Sequence, residues 1–76
     1  MNELGNNIAR YRKEKGISQE KLAEYMEISR QAVTKWESGT SKPSTENLLK
    51  LSELFGVEVE HLLLKLPTRN QGIKPV

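Results

Sequence analysis

The stretch Gln19–Ser38, taken with the two residues before it, contains the same helix-start signal twice. Ser18 and Ser29 each stand where an N-cap residue belongs, with a hydroxyl placed to accept from a free backbone N–H of the following turn. Each serine follows an isoleucine and precedes an aliphatic residue four positions later, which is the spacing of a hydrophobic staple. The two predicted helices are therefore short and almost contiguous, with only Tyr25–Ile28 between them.

Helices joined this closely must cross steeply, and the sequence supplies the contact surface that such a crossing needs. Ala23 is the small residue that allows the two backbones to approach. A two-helix unit with a three- to four-residue turn has helix-turn-helix geometry, in which the second helix can enter the major groove of DNA. Five apolar residues form the shared face of the unit: Leu22, Met26, Ile28, Val33 and Trp36.

The sequence before this unit predicts one further helix. Leu4, Ile8 and Tyr11 recur at helical spacing and predict a helix from about Glu3 to Lys15. Gly16 is its natural end, because glycine adopts the left-handed conformation of a helix C-terminus without steric cost.

The sequence after the unit predicts a loop and two more helices. Turn residues fill positions 39–43, and Ser44 caps a helix from Thr45 to Phe55. A short helix, Val59–Leu64, follows, while residues 66–76 lack periodicity and are predicted to be a flexible tail or linker. The predicted fold is all-α: a compact bundle of four to five short helices in one domain, residues 1–65, with a central helix-turn-helix.

Composition excludes several functional classes. The 76 residues include no cysteine, and His61 is the single histidine, so disulfides, thiolate metal sites and a zinc site are not expected. We predict no metal and no cofactor. No nucleophile, paired carboxylates or glycine-rich phosphate loop indicates an enzyme. No apolar run predicts a membrane span or a signal peptide, so we expect a cytoplasmic protein.

The net charge of +2 is too small to indicate nucleic-acid binding by itself. On charge alone, an ordinary solvated surface of mixed charge is the simpler interpretation. The distribution is more informative, because the basic residues cluster on the first helix and around the second half of the helix-turn-helix: Arg10, Arg12, Lys13, Lys15, Arg30, Lys35 and Lys42.

The predicted third helix has one polar face with long side chains. If Ser29 caps this helix, Arg30 and Gln31 lie in its first turn, and Thr34 and Lys35 lie one turn further along the same side. Arginine and lysine can bind guanine in the major groove, glutamine can bind adenine, and the threonine methyl can contact thymine. The alternative is a plain solvent-facing surface, which composition does not exclude. We predict that these four residues contact bases.

From Leu4 to about Leu64 the chain resembles the phage Cro/C1-repressor family of XRE-type regulators. The most telling run is RKEKGISQEKLAEYMEISRQAVTKWESGTSKPS. The resemblance implies a lambda-repressor-like DNA-binding domain that acts as a sequence-specific transcriptional regulator, a repressor by expectation, on double-stranded DNA. One position departs from the family pattern: Glu27 stands where a turn glycine is usual, and a left-handed conformation there would cost on the order of 1–2 kcal/mol.

The resemblance also implies which residues hold the DNA backbone. Gln19 matches the family position that contacts a phosphate, and Arg12 and Glu37 match positions that form an ion pair between the first and third helices. Such contacts set the position of the protein and do not read sequence. The full set of candidates for backbone contact, each of which could equally be an ordinary polar residue of the surface, is Gln19, Ser29, Ser38, Ser41, Lys42, Arg12 and Asn7.

The C-terminal helix is more apolar than one small helix can bury. Consecutive leucines at 62–64 point around most of its circumference, so part of this surface should meet a partner. The family resemblance points to a twofold homodimer on an inverted-repeat operator, while a tighter core in a monomer stays open as the alternative. The residues predicted for this interface are Val59, Leu62, Leu63 and Leu66.

Two other functions remain open at the level of sequence. The chain could be an antitoxin-type interaction module that binds DNA to regulate its own expression. It could also be the DNA-binding part of a longer regulator whose sensor domain follows Val76.

Overall fold

The computed structural model describes residues 3–64, and in this range it contains five α-helices and no strand. The all-α prediction is confirmed. The helices are α1 (Glu3–Glu14), α2 (Gln19–Met26), α3 (Arg30–Ser38), α4 (Thr45–Phe55) and α5 (Val59–Leu63). Helices α4 and α5 pack together, α3 packs against α1 and α2, and α1 also contacts α4 and α5.

Serine side chains start three of these helices, as the sequence predicts. The Ser18 hydroxyl accepts from the Lys21 amide at 3.0 Å at the start of α2. Ser29 starts α3 in the same way, with its hydroxyl 3.1 Å from the Ala32 amide. Ser44 repeats the contact at α4. These local bonds satisfy backbone donors that the helix itself cannot, so each helix begins at a defined residue.

Helices α2, α3 and α4 each end at a residue with left-handed backbone, and another such residue follows shortly after α1. At the end of α2 this residue is Glu27, with φ 60° and ψ 45°, and its neighbour Ile28 donates its amide to the Ala23 carbonyl at 3.0 Å. The predicted left-handed turn without glycine is confirmed. Gly16, Gly39 and Gly56 have the same role elsewhere, with φ of 73°, 86° and 72°.

All five helices contribute buried apolar residues to one core. Trp36 is only 5% exposed and belongs to this core, so its role is packing. Tyr11 of α1 stacks on Phe55 of α4 with ring centroids 5.6 Å apart. The buried apolar residues are Ile8, Leu22, Ala23, Met26, Val33, Trp36, Leu51, Phe55 and Leu62.

Asn7 lies inside the protein, which corrects its assignment to the DNA backbone. Its side chain is 4% exposed, and its amide donates to the Leu62 carbonyl at 2.8 Å and to the Leu64 carbonyl at 2.7 Å. The last carbonyls of a helix have no partner within the helix. Asn7 therefore closes the C-terminal end of α5 and ties it to α1.

Leu62 also differs from the prediction, which places it in a dimer interface. It is completely buried in the core of the single chain, because α5 turns this side toward α1 and α4. Helix α5 ends one residue earlier than predicted, with Leu64 as its extended C-cap. Leu66 and the predicted tail 66–76 lie outside the described residues.

The strained end of α2 generates a stability prediction. Changing Glu27 to glycine should raise the free energy of unfolding by about 0.5–1 kcal/mol, because relief of the left-handed penalty exceeds the entropy that glycine adds to the unfolded chain. Urea denaturation measures the difference. Glu24→Gly, within the same helix, is the matched control and should lower stability by about 1 kcal/mol. Equal losses from both variants would contradict strain at Glu27.

Candidate nucleic-acid interface

Helix α3 has one buried side and one exposed polar side. Val33 and Trp36 face the core and are 0% and 5% exposed. The opposite side carries the four residues predicted to contact bases, all of them exposed: Arg30, Gln31, Thr34 and Lys35. The structure thus brings the predicted base-reading residues together on one surface of one helix. Two of them are cationic, and all four have side chains that can donate or accept hydrogen bonds in a DNA groove.

The predicted ion pair between α1 and α3 is present. Arg12 Nε lies 2.7 Å from Glu37 Oε2, and a second guanidinium nitrogen lies 3.2 Å from Glu37 Oε1. The side chains are only 12% and 10% exposed. A third Arg12 nitrogen donates to the Ile17 carbonyl at 2.9 Å, so the guanidinium also holds the segment that leads into α2. Arg12 is thereby committed to the scaffold, beside the surface where the resemblance places its contact with DNA.

Gln19, the first residue of α2, extends this pair into a network. Its side-chain nitrogen donates to Glu37 Oε1 at 2.9 Å, and its side-chain oxygen accepts from the Thr34 hydroxyl at 2.9 Å. The ends of three helices are therefore joined through one carboxylate. The contact between Gln19 and Thr34 is absent from the sequence predictions, and no local signal indicates it, because the residues are 15 positions apart.

The remaining candidates for backbone contact surround the exposed side of α3. Ser29 is exposed at the start of α3, where its hydroxyl serves as the cap. Ser38, at the other end, donates to the Lys35 carbonyl at 3.2 Å. Ser41 and Lys42 are exposed in the loop that follows. Both ends of α3 therefore present hydroxyl or ammonium groups, which are common phosphate ligands.

Exposed leucines lie on α4 and at the end of α5. Leu63 and Leu64 are 46% and 58% exposed, and Leu49 on α4 is 51% exposed. Val59 is half-buried. Of the residues predicted for a dimer interface, Leu63 is thus the described leucine with a large exposed surface, while Leu62 is in the core.

Two further properties concern only the described residues. Residues 3–64 contain no group of three or more side chains that could bind a metal ion. No helix in this part of the chain has the length and apolar character needed to cross a membrane.

The sequence profile of the family described as Helix-turn-helix matches residues 8–62, which is most of the chain. The chain belongs to this helix-turn-helix family. Among its curated relatives is the HTH-type transcriptional activator BcrR of Enterococcus faecalis, which is 39% identical over 61 residues. That match covers 80% of this chain and 30% of BcrR, so the chain spans less than a third of the length of that relative.

Solved structures of the family resemble the fold closely. The P22 c2 repressor, in complex with synthetic operator 9T, superposes with a TM-score of 0.77 at 32% identity, covering 82% of this chain and 94% of the repressor chain. The restriction-modification controller protein C.AhdI of Aeromonas hydrophila gives a TM-score of 0.73 at 33% identity, with coverage of 80% and 92%. The predicted family resemblance and the lambda-repressor-like fold are confirmed.

The buried ion pair generates a second prediction. Glu37→Ala should lower the free energy of unfolding by about 3 kcal/mol, because it leaves the Arg12 guanidinium buried without a counter-charge. Thermal or urea denaturation followed by circular dichroism measures the loss. Glu14→Ala is the control, since it removes the exposed pair with Arg10, 3.3 Å long, and should cost less than about 1 kcal/mol. A similar small loss from both variants would show that the buried pair does not anchor α3.

Proposed function

We propose that this protein is a sequence-specific transcriptional regulator that binds double-stranded DNA by placing α3 in the major groove. The observation that carries the proposal is the exposed polar side of α3, held in place from behind by the Arg12–Glu37 pair and by Gln19. A rigid helix with a polar outer side suits direct readout, because base edges are recognised by hydrogen bonds of fixed direction. The similarity to an operator-bound repressor supports the same conclusion.

The residues divide into two proposed roles. Arg30 and Lys35 pair with guanine, Gln31 pairs with adenine, and Thr34 contacts a base beside them. The DNA backbone is held from both ends of the helix and from the neighbouring elements, which sets the register of α3 in the groove. The proposed backbone contacts are Gln19, Ser29, Ser38, Ser41, Lys42 and Arg12, while Asn7 is excluded because it is buried.

We further propose repression as the mode of action, in the cytoplasm of a bacterial or phage-carrying cell. The match to the P22 c2 repressor extends over 94% of that chain, so the likeness includes the whole domain and not α3 alone. A repressor of this kind acts by occupying its operator, and it needs neither catalysis nor a cofactor. Because BcrR is an activator and is much longer than this chain, the direction of control is tested separately with a reporter gene.

We also propose that two copies bind together as a twofold dimer on an inverted repeat. One small recognition helix contacts only a few base pairs, which gives little discrimination against a genome. The exposed Leu63 and Leu64, with the half-buried Val59, provide apolar surface beside which a second copy can pack. Leu66 is retained in this proposal from the sequence alone. The recognition helices would then enter successive major grooves about 34 Å apart.

DNA binding is tested by selection of sites from random duplex DNA, followed by titration at several salt concentrations. Affinity for the best site should fall steeply as salt rises, because each neutralised phosphate releases counterions. Arg30→Ala and Gln31→Ala should each cost about 1–3 kcal/mol on that site and relax preference at particular positions. Lys42→Ala should weaken binding to all sequences alike.

Lys21→Ala is the matched control for this series. Lys21 is exposed on α2 and pairs only weakly with Glu24, at 3.4 Å, outside the α3 surface. Its loss should leave the selected site unchanged. Absence of binding to any duplex at low salt would refute the proposed function, and uniform loss from every α3 variant would refute the assignment of base contacts.

The dimer is tested by single glutamate substitutions along α5. Leu63→Glu and Leu64→Glu should leave the protein helical but monomeric, with most of the operator affinity lost, because the second half-site is no longer delivered by the same binding event. Leu62→Glu should unfold the domain, since Leu62 is fully buried. Tyr25→Glu, an exposed apolar position on α2, is the control. Sedimentation of the unmodified protein as a monomer at high micromolar concentration, free and on DNA, would contradict the dimer.

A further inference from the structure

A continuous set of hydrogen bonds runs from the interior of the protein to the exposed side of α3. It begins at Arg12, whose guanidinium forms two bonds with the Glu37 carboxylate, at 2.7 and 3.2 Å. It continues through the Gln19 amide and ends at the Thr34 hydroxyl, with 2.9 Å at each step. The first pair is largely buried, whereas Thr34 is exposed on the same side of α3 as Arg30 and Gln31. The buried Arg12–Glu37 pair is therefore connected by hydrogen bonds to the exposed side chain of Thr34.

The chemistry of the carboxylate decides how the Gln19 amide is oriented. An ionised carboxylate paired with arginine can only accept hydrogen bonds, so the group of Gln19 that faces Glu37 must be the NH₂ donor. The amide oxygen then faces Thr34. The two orientations of a glutamine amide are usually difficult to distinguish, but here only one of them satisfies the partner.

The orientation of Gln19 in turn decides the orientation of the Thr34 hydroxyl. A threonine hydroxyl has one hydrogen to donate and two lone pairs to accept with, and normally rotates to suit its partner. The amide oxygen of Gln19 can only accept, so the hydrogen of Thr34 is directed toward it. What Thr34 offers to a ligand is then a hydroxyl oxygen that accepts and a methyl group.

We propose that Gln19 is a positioning residue that makes Thr34 select adenine or cytosine over guanine or thymine at the base it contacts. In the major groove adenine and cytosine present an exocyclic NH₂ donor, whereas guanine O6 and thymine O4 are acceptors. A hydroxyl oxygen that accepts forms a hydrogen bond with the NH₂ group of adenine or cytosine. Against guanine O6 or thymine O4 it has no hydrogen-bond partner. This inference rests on the proposed DNA-binding function. It adds which bases Thr34 selects, and it explains the selection by the orientation of the Thr34 hydroxyl.

The role is compatible with a phosphate contact by Gln19. The side-chain NH₂ group has two hydrogens, and Glu37 takes one of them. The second remains for a phosphate, so Gln19 can hold the DNA backbone and orient Thr34 at the same time. The two roles differ in their effect, because a phosphate contact strengthens binding to every sequence while an oriented hydroxyl changes preference at one base position.

The test is a comparison of base preferences from random-duplex selections with the full chain and five variants. Thr34→Val keeps the shape of the side chain and removes the hydroxyl, so the position at which its profile departs from that of the unmodified protein is the base that Thr34 reads. At that base the unmodified protein should prefer adenine or cytosine by about fivefold, the range expected for one hydrogen bond. Gln19→Ala should weaken binding overall and also abolish this preference.

Thr34→Ser is the rescue control, because serine retains the hydroxyl and should retain the preference. Lys21→Ala should change no position, and thermal unfolding of each variant confirms that it is folded. In the double variant Gln19→Ala with Thr34→Val, the second change should have no further effect on that base. Two results would overturn the inference while leaving DNA binding intact. One is that the unmodified protein selects guanine or thymine at this base as often as adenine or cytosine, and the other is that Gln19→Ala keeps the preference unchanged. Failure of the unmodified protein to bind any duplex would instead refute the proposed function.

Discussion

The Arg12–Glu37 ion pair is the interaction on which the position of α3 depends. Helix α3 has nine residues, of which only Val33 and Trp36 are buried, so apolar contact alone fixes little about its rotation or its end. A buried charge must keep its partner, because separation would leave each group without solvent or counter-charge. The pair therefore holds the last turn of α3 to the last turn of α1. Its net effect on stability matters less here than the geometry that it imposes.

The helices of this fold can be very short because nearby residues cap their ends. Three helices end in a left-handed residue and a fourth is followed by one, and at Glu27 this conformation is adopted by a residue with a side chain, at the cost of strain. That conformation makes the turn between α2 and α3 short enough for the two helices to share one apolar surface. Helix α5 has only five residues, and Asn7 closes its C-terminal end by donating to the carbonyls of Leu62 and of the C-cap residue Leu64. A polar residue inside the core thus supplies what the short helix lacks.

The same polar network connects the anchoring of α3 with the surface proposed to contact DNA. Glu37 accepts from Arg12 on one side and from Gln19 on the other, so the charge that anchors α3 also orients an amide that reaches Thr34. In such a network each side chain fixes the orientation of the next one, because a group that can only accept must face a donor, and a group that can only donate must face an acceptor. A surface that reads bases needs side chains of fixed direction more than it needs many contacts. For the proposed base contacts of this protein, the network inside the domain would supply that fixed direction.

The sequence by itself determined what depends on neighbours along the chain. Serine caps, left-handed ends and the burial of Trp36 follow from local hydrogen bonds and helical spacing, so the positions of the helices can be deduced from the residues alone. Tertiary structure alone decided which of three consecutive leucines enters the core, because a helix of one turn points them in different directions and its docking on α1 chooses Leu62. It also decided that Asn7 is internal and that Gln19 meets Thr34. Those contacts join residues far apart in the chain, and sequence spacing contains no information on how separate helices rotate against each other.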